Sequence, residues 1–228
     1  MNTLIKSHVT TSKKNKINAR IMQKIFFILL SIAMFLLPIN IFSKNGDNKS
    51  FVGSELTVET KEKLLLQVKR IKKLVRNSSN YNQQIAFFID MQVMSGKNRF
   101  FVYDLKNDLL LDSGLVAHGF GSRIKADGDQ KFSNENGSLC SSLGSYGVGQ
   151  SHNGRFGKAY KLHGLDASNN KSFSRNIVLH KSKDVPYEEQ NNQIEYSFGC
   201  PMVNEKYYER IEKRIDASKR TIILDIYY

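Results

Sequence analysis

The sequence predicts a mainly β domain with a few helices, an α+β arrangement, on three observations. Seven short strand-like runs are separated by clusters of Asn, Gly, Ser and Asp. Only two stretches place apolar residues at helical spacing. Trp is absent, but 14 Phe and 10 Tyr supply large apolar side chains for a core. A chain of 228 residues, 40% hydrophobic and 24% charged, suits one globular domain with a short appendage.

Residues 1–43 form a targeting element. Lys6, Lys13, Lys14, Lys16, Arg20 and Lys24 precede the apolar run IFFILLSIAMFLLPINIF (25–42), and no acidic side chain occurs before Ser43. This is the layout of a secretory signal. The run also nears the roughly 18 apolar residues at which a membrane span becomes feasible. Pro38 and the small Ser43 favour cleavage, while an uncleaved anchor remains open. In both cases the charge bias holds the N-terminus in the cytoplasm and sends the rest outward. The expected location is the cell envelope, in the periplasm or on the outer face of the cytoplasmic membrane. Membrane contact is expected only through this segment, if it is retained.

Residues 44–84 read as a polar linker followed by an amphipathic helix. Leu64, Leu65, Val68, Ile71, Leu74 and Val75 recur at helical spacing between Thr57 and Arg76, and NSSNYN then breaks the pattern. The formal charge of +13 invites a nucleic-acid reading, yet after residue 43 only 28 basic stand against 21 acidic side chains. Much of that excess lies on Lys61 to Arg76, which has no aromatic residue for base stacking. A solvated basic helix face accounts for it, and no nucleic-acid partner is expected.

Residues 85–228 hold the main predicted domain. Its strand-like runs are 85–93, 99–105, 109–118, 144–151, 159–165, 176–181 and 221–228, with a helix from Lys206 to Ile215 ahead of the last. The polar segment 119–143 is long enough to be a functional loop or a lid.

Chemistry concentrates in SRNIVLHKS (174–182) and YSFGCPMV (196–203). His180 closes an apolar strand, which fixes the direction of its ring. Cys200 lies between Gly199, which permits close approach of another carbonyl, and Pro201, which holds the cysteine extended. A thiolate is the reactive form, and a neighbouring imidazole generates it. In an oxidising compartment Cys140 could pair with Cys200; the alternative is an inert buried thiol. The remaining histidines show no metal-ligand spacing, and GFGSR (119–123) lacks the setting of a phosphate loop. No metal and no cofactor are expected.

SFGC (197–200), with LH (179–180) upstream, resembles the L,D-transpeptidase signature. Residues 89–119, FSNENGSLCSSLGSYGVG (132–149) and SRNIVLH (174–180) are similar to the murein L,D-transpeptidase catalytic-domain branch, so the likeness covers about residues 85–228. It implies a YkuD-like β-sandwich or barrel and peptidoglycan stem peptides as substrate. Cys200 would then attack the carbonyl of the stem's diamino acid, release D-alanine and pass the acyl group to an acceptor amine. Matched position by position, Cys200 is nucleophile and His180 general base. Ser197 supports the pocket, Gly199 lends backbone to the oxyanion region, and Tyr146 walls the cleft. Arg175 is a candidate for a substrate carboxylate, beside the plainer reading of a surface arginine. Two departures stand out: Phe198 replaces a common His, and Tyr196 stands where this branch often carries Arg.

Rival readings are an L,D-carboxypeptidase using water as acceptor, another envelope cysteine peptidase, and a non-catalytic wall-binding relative. Papain-like enzymes place Cys before His, the reverse of this order. Sortases need an Arg at a strand end after the Cys, where this chain predicts a helix.

Overall fold

The computed structural model describes residues 56–124, 130–155 and 157–228, and the expected targeting element 1–43 lies outside them. Helix α1 spans Val58–Arg76, with the Thr57 hydroxyl accepting from the Thr60 amide at its start. Nine strands follow: β1 (Tyr81–Asp90), β2 (Phe100–Asp104), β3 (Leu109–Gly114), β4 (Val116–Ala117), β5 (Gly144–Gly154), β6 (Gly157–Gly164), β7 (Val178–Ser182), β8 (Met202–Asn204) and β9 (Thr221–Tyr227). Helix α2 (Glu205–Asp216) lies between the last two, its N-terminus capped by Asn204. Among the described residues no helix is long and apolar enough to cross a membrane.

The strands form one sheet in the order β3-β2-β1-β9-β5-β6-β7-β8-β4. Strands β3 and β4 stand at opposite ends of that order, yet only Leu115 separates them in sequence. The sheet therefore curls until its two edges meet, as a barrel-like fold requires. Leu115 is itself buried against Val185, Ile194 and Met202.

The central strands bury both faces, which explains their unbroken apolar runs. Along β1, Phe87 and Ile89 face the interior beside Tyr207, Tyr208 and Ile211 of α2. Ala86 and Phe88 face the other way, toward Leu64, Val68, Ile71 and Val75 of α1. Each of those four helix side chains is almost fully buried, at about 2 kcal/mol apiece. Leu65, which the helical spacing also assigned to the packed face, lies at its margin and is 36% exposed. Strand β9 alternates likewise, and its outward Asp225 meets Arg70 of α1 in an ion pair with the carboxylate fully buried. Strand β1 starts four residues before the apolar run, because Tyr81 pairs with Thr221 of β9.

Candidate active site

Strands β7 and β8 run parallel, with His180 opposite Met202 and the His180 amide donating to the Pro201 carbonyl at 3.3 Å. Cys200 thus lies at the mouth of β8, next to the strand that carries His180. Its Sγ accepts from the Val178 amide at 3.4 Å and points its proton toward the Asn176 carbonyl at 3.8 Å. Val178 and His180 share one face of β7, since strand side chains alternate. Cys200 and His180 line the same cleft, about 580 Å³, together with Arg175, Asn176, Tyr196 and Phe198.

The imidazole is oriented by its own strand. His180 Nδ1 lies 3.0 Å from the Lys181 carbonyl. A carbonyl only accepts, so Nδ1 carries the proton and Nε2 is the basic atom. Burial pushes the imidazole below its ordinary range, opposed by that same carbonyl. Burial also pushes the Cys200 thiol up, against the Val178 amide and the charges of Arg175 and Lys161. Both shifts favour a neutral thiol and a neutral imidazole, separated from the ion pair by a single proton transfer.

The turn before the sulfur is held from behind. The Ser197 hydroxyl donates to the Cys200 carbonyl at 2.6 Å and accepts from the Gly199 amide at 3.2 Å. Gly199 has φ +117°, and a Cβ there would sit 2.9 Å from the Cys140 carbonyl, so only glycine fits. That amide is committed to Ser197, which corrects the expected place of Gly199 among the oxyanion donors. Its work is to let the turn lie flat on residue 140.

Arg175 differs from both of its expected readings. Its Nη1 donates to the Ser133 carbonyl and the Ser142 hydroxyl, and its Nη2 to the Ser138 hydroxyl and the Cys140 carbonyl, at 2.6–3.4 Å. Those four bonds use every Nη hydrogen, so the guanidinium cannot grip a carboxylate with its fork. It clamps the 133–142 segment behind Gly199 while one edge still faces the cleft.

Tyr146 is also relocated. It is 1% exposed, sits in the interior core and gives its hydroxyl to the Ser142 carbonyl at 2.7 Å. It is no wall of the cleft, because strand alternation turns it inward while Ser145 and Gly147 face outward.

Cys140 and Cys200 are both free thiols. Cys140 is buried, with its Sγ directed to the Ser138 carbonyl at 3.5 Å. Its carbonyl, not its sulfur, faces the Gly199 turn.

Phe120, Ser141 and Arg99 support the site and escaped sequence reasoning. Ser197 N donates to the His118 carbonyl at 2.9 Å, and Phe120 N to the Ser197 carbonyl at 2.8 Å. Ser141 Oγ accepts from Gly119 and reaches the Gly199 carbonyl at 3.4 Å. His118 is 2% exposed, and the fully buried Arg99 donates to its Nδ1 at 2.8 Å. Burial, with the Arg99 charge, holds the His118 imidazole down to about 3. The described ends of segment 119–143 are therefore bolted to the turn rather than standing clear of it. Among the described residues no group of three His, Cys, Asp or Glu could hold a metal ion.

No curated protein matches this chain. Among solved structures it is similar to the helical cell shape determining protein Pgp2 of Campylobacter jejuni in its K307A form, at 10% identity and TM-score 0.42, over 63% of this chain and 46% of that one. An L,D-transpeptidase of Xylanimonas cellulosilytica matches at 11% identity and TM-score 0.33, over 63% and 60%. One from Mycobacterium smegmatis matches at 8% and TM-score 0.36, over 64% and 59%. The chain spans 46% to 60% of the length of these structures. Residues 56–224 match the YkuD_2 family, the L,D-transpeptidase catalytic domain, so the matched span includes α1. With that span covering well over half of its length, the chain belongs to the L,D-transpeptidase catalytic-domain family.

Proposed function

We propose that the protein is an exported cysteine L,D-transpeptidase acting on peptidoglycan stem tetrapeptides at the cell envelope. The observation that carries this is the pairing of Cys200 and His180 on one open cleft, with the imidazole held so that Nε2 is its basic atom. The basic flank and apolar run of residues 6–42 support export.

In the first half-reaction the Cys200 proton passes to His180 Nε2 as the sulfur bonds to the carbonyl carbon of the diamino acid. The bond to D-alanine breaks, and the imidazolium returns its proton to the leaving amine. An acyl-thioester remains on Cys200. In the second half-reaction an acceptor amine attacks that thioester and gives a proton to His180, which restores the thiol as the sulfur leaves. Because the Gly199 amide is taken by Ser197, the Cys200 amide itself is the turn's candidate donor to the oxyanion. Such a donor is worth about 3 kcal/mol.

Mass spectrometry of the protein with a stem tetrapeptide tests this. Expected are loss of D-alanine, a thioester adduct on Cys200, and no adduct with Cys200→Ser. Cleavage elsewhere in the stem overturns the assignment. Release of free tripeptide in the presence of an acceptor stem assigns hydrolysis in place of cross-linking.

A further inference from the structure

Beside α1, the outer face of the sheet holds a second groove, about 1100 Å³, that the proposed chemistry leaves unused. Its floor is the outward side of β5 and β6. There Gly147 and Gly149 alternate with the core-facing Tyr146 and Val148, so this strip of the floor is bare backbone. A Cβ on Gly149 would stand 2.5 Å from His163 Nε2, so the strip stays narrow and flat only with glycine.

One rim is formed by Lys219 and Arg220, just before β9. The other is Phe173, 57% exposed, stacked with His163 at 5.3 Å between ring centroids and 20° between planes. Lys161 Nζ lies 5.0 Å from the Phe173 centroid and donates to Asn176 Oδ1 at 2.8 Å. Among the described lining residues there are three fixed cations, Lys161, Lys219 and Arg220, and no Asp or Glu. The groove also lies next to the thiol cleft. Asn176 lines that cleft, and its amide donates to the Phe173 carbonyl at 3.1 Å, so one tight turn separates the two.

We infer that this groove binds a carboxylate-bearing strand of the cell-wall polymer whose reacting stem enters the Cys200 cleft. The ligand's identity rests on the peptidoglycan reading. Three cations without a counter-charge call for an anion. The glycine floor and paired rings suit an extended peptide or the flat face of a sugar ring lying along the strands. The shared turn at 173–176 lets one molecule occupy groove and cleft together. Free carboxylates on unreacted stems supply the negative charge.

Retention of the full chain on insoluble peptidoglycan sacculi tests this. It is read by co-sedimentation with Cys200→Ala protein, so that acyl transfer plays no part. Lys219→Glu/Arg220→Glu is expected to lower retention about tenfold at low salt, and added salt to weaken the unaltered protein. Phe173→Ala is expected to lower it as well. Sacculi whose carboxylates have been amidated should reproduce the loss with the groove unaltered, which decides the matter even if the charge-reversed variant does not fold. Full retention by the folded double variant, full retention on amidated sacculi, or equal retention on DNA or anionic phospholipid vesicles overturns the inference. The Cys200 adduct is measured separately, so either reading can fail alone.

Discussion

Arg175 Nη2 grips the Cys140 carbonyl at 2.6 Å, and that same carbonyl is the surface on which Gly199 rests. A cation on the β6–β7 connection thereby sets the height of the turn that presents the sulfur. The sulfur's own neighbours, Val178 and Asn176, come from the segment immediately after Arg175.

Arg175→Ala should release the 133–142 segment. Charged-donor hydrogen bonds contribute about 1.5–3 kcal/mol each, and not additively. A loss of about 3 kcal/mol in urea unfolding is expected, with a larger fall in the rate of Cys200 acylation than in substrate binding. Arg175→Lys should recover little, because an ammonium cannot span four acceptors on two arms.

Gly199→Ala places a methyl against the Cys140 carbonyl at a backbone angle that L-residues rarely adopt. The strain amounts to about 1–3 kcal/mol. Equilibrium unfolding should register that cost, and tetrapeptide adduct formation should fall by at least tenfold.

The pH profile of acylation should be bell-shaped with a wide top. Reaction needs one proton shared between Cys200 and His180. Burial lowers the imidazole, so the acid limb falls below pH 6.5. Burial raises the thiol, so the alkaline limb lies above pH 9.0. Stopped acylation assays across pH 5–10 check this, and an optimum confined to the acid side refutes the neutral pair.

His118 makes stability depend on acid. Its imidazole is held down to about 3 in the folded protein, against 6.5 when unfolded. Below pH 6.5 the unfolded chain takes up a proton that the folded one refuses, so stability falls as pH falls. One such group accounts for about 2 kcal/mol between pH 6.5 and 5. His118→Asn, which can still offer an acceptor to Arg99, should flatten that slope in urea titrations.

Arg70→Ala should be costly for a different reason. Asp225 has no exposed surface, and burial already raises its carboxyl despite the Arg70 charge. Stranding it costs about 3 kcal/mol, and Asp225→Asn in the same chain should recover part of that loss. Urea unfolding of the single and double variants measures both.

Much of this was legible in the residues because it rests on local pattern. The runs around Phe87 and Leu224, the stripe from Leu64 to Val75, and the Ser-Phe-Gly-Cys turn each carry their signal within a few positions. What escaped depends on partners distant in sequence. Strand β8 is three residues long and is defined by its pairing with β7 on one side and β4 on the other. Tyr146 looks like a cleft residue until β9 fixes which way its strand faces. Arg175 reads as a free cation because its acceptors, Ser133 to Ser142, are separated from it by more than thirty residues.

The single residue between β3 and β4 has a mechanical consequence. Leu115 closes the curled sheet, and a few residues later His118 and Phe120 grasp Ser197. No slack lies between the seam and the nucleophile's support. Any loosening of the two sheet edges is delivered straight to the sulfur's mounting, so heat should silence this protein before it unravels it.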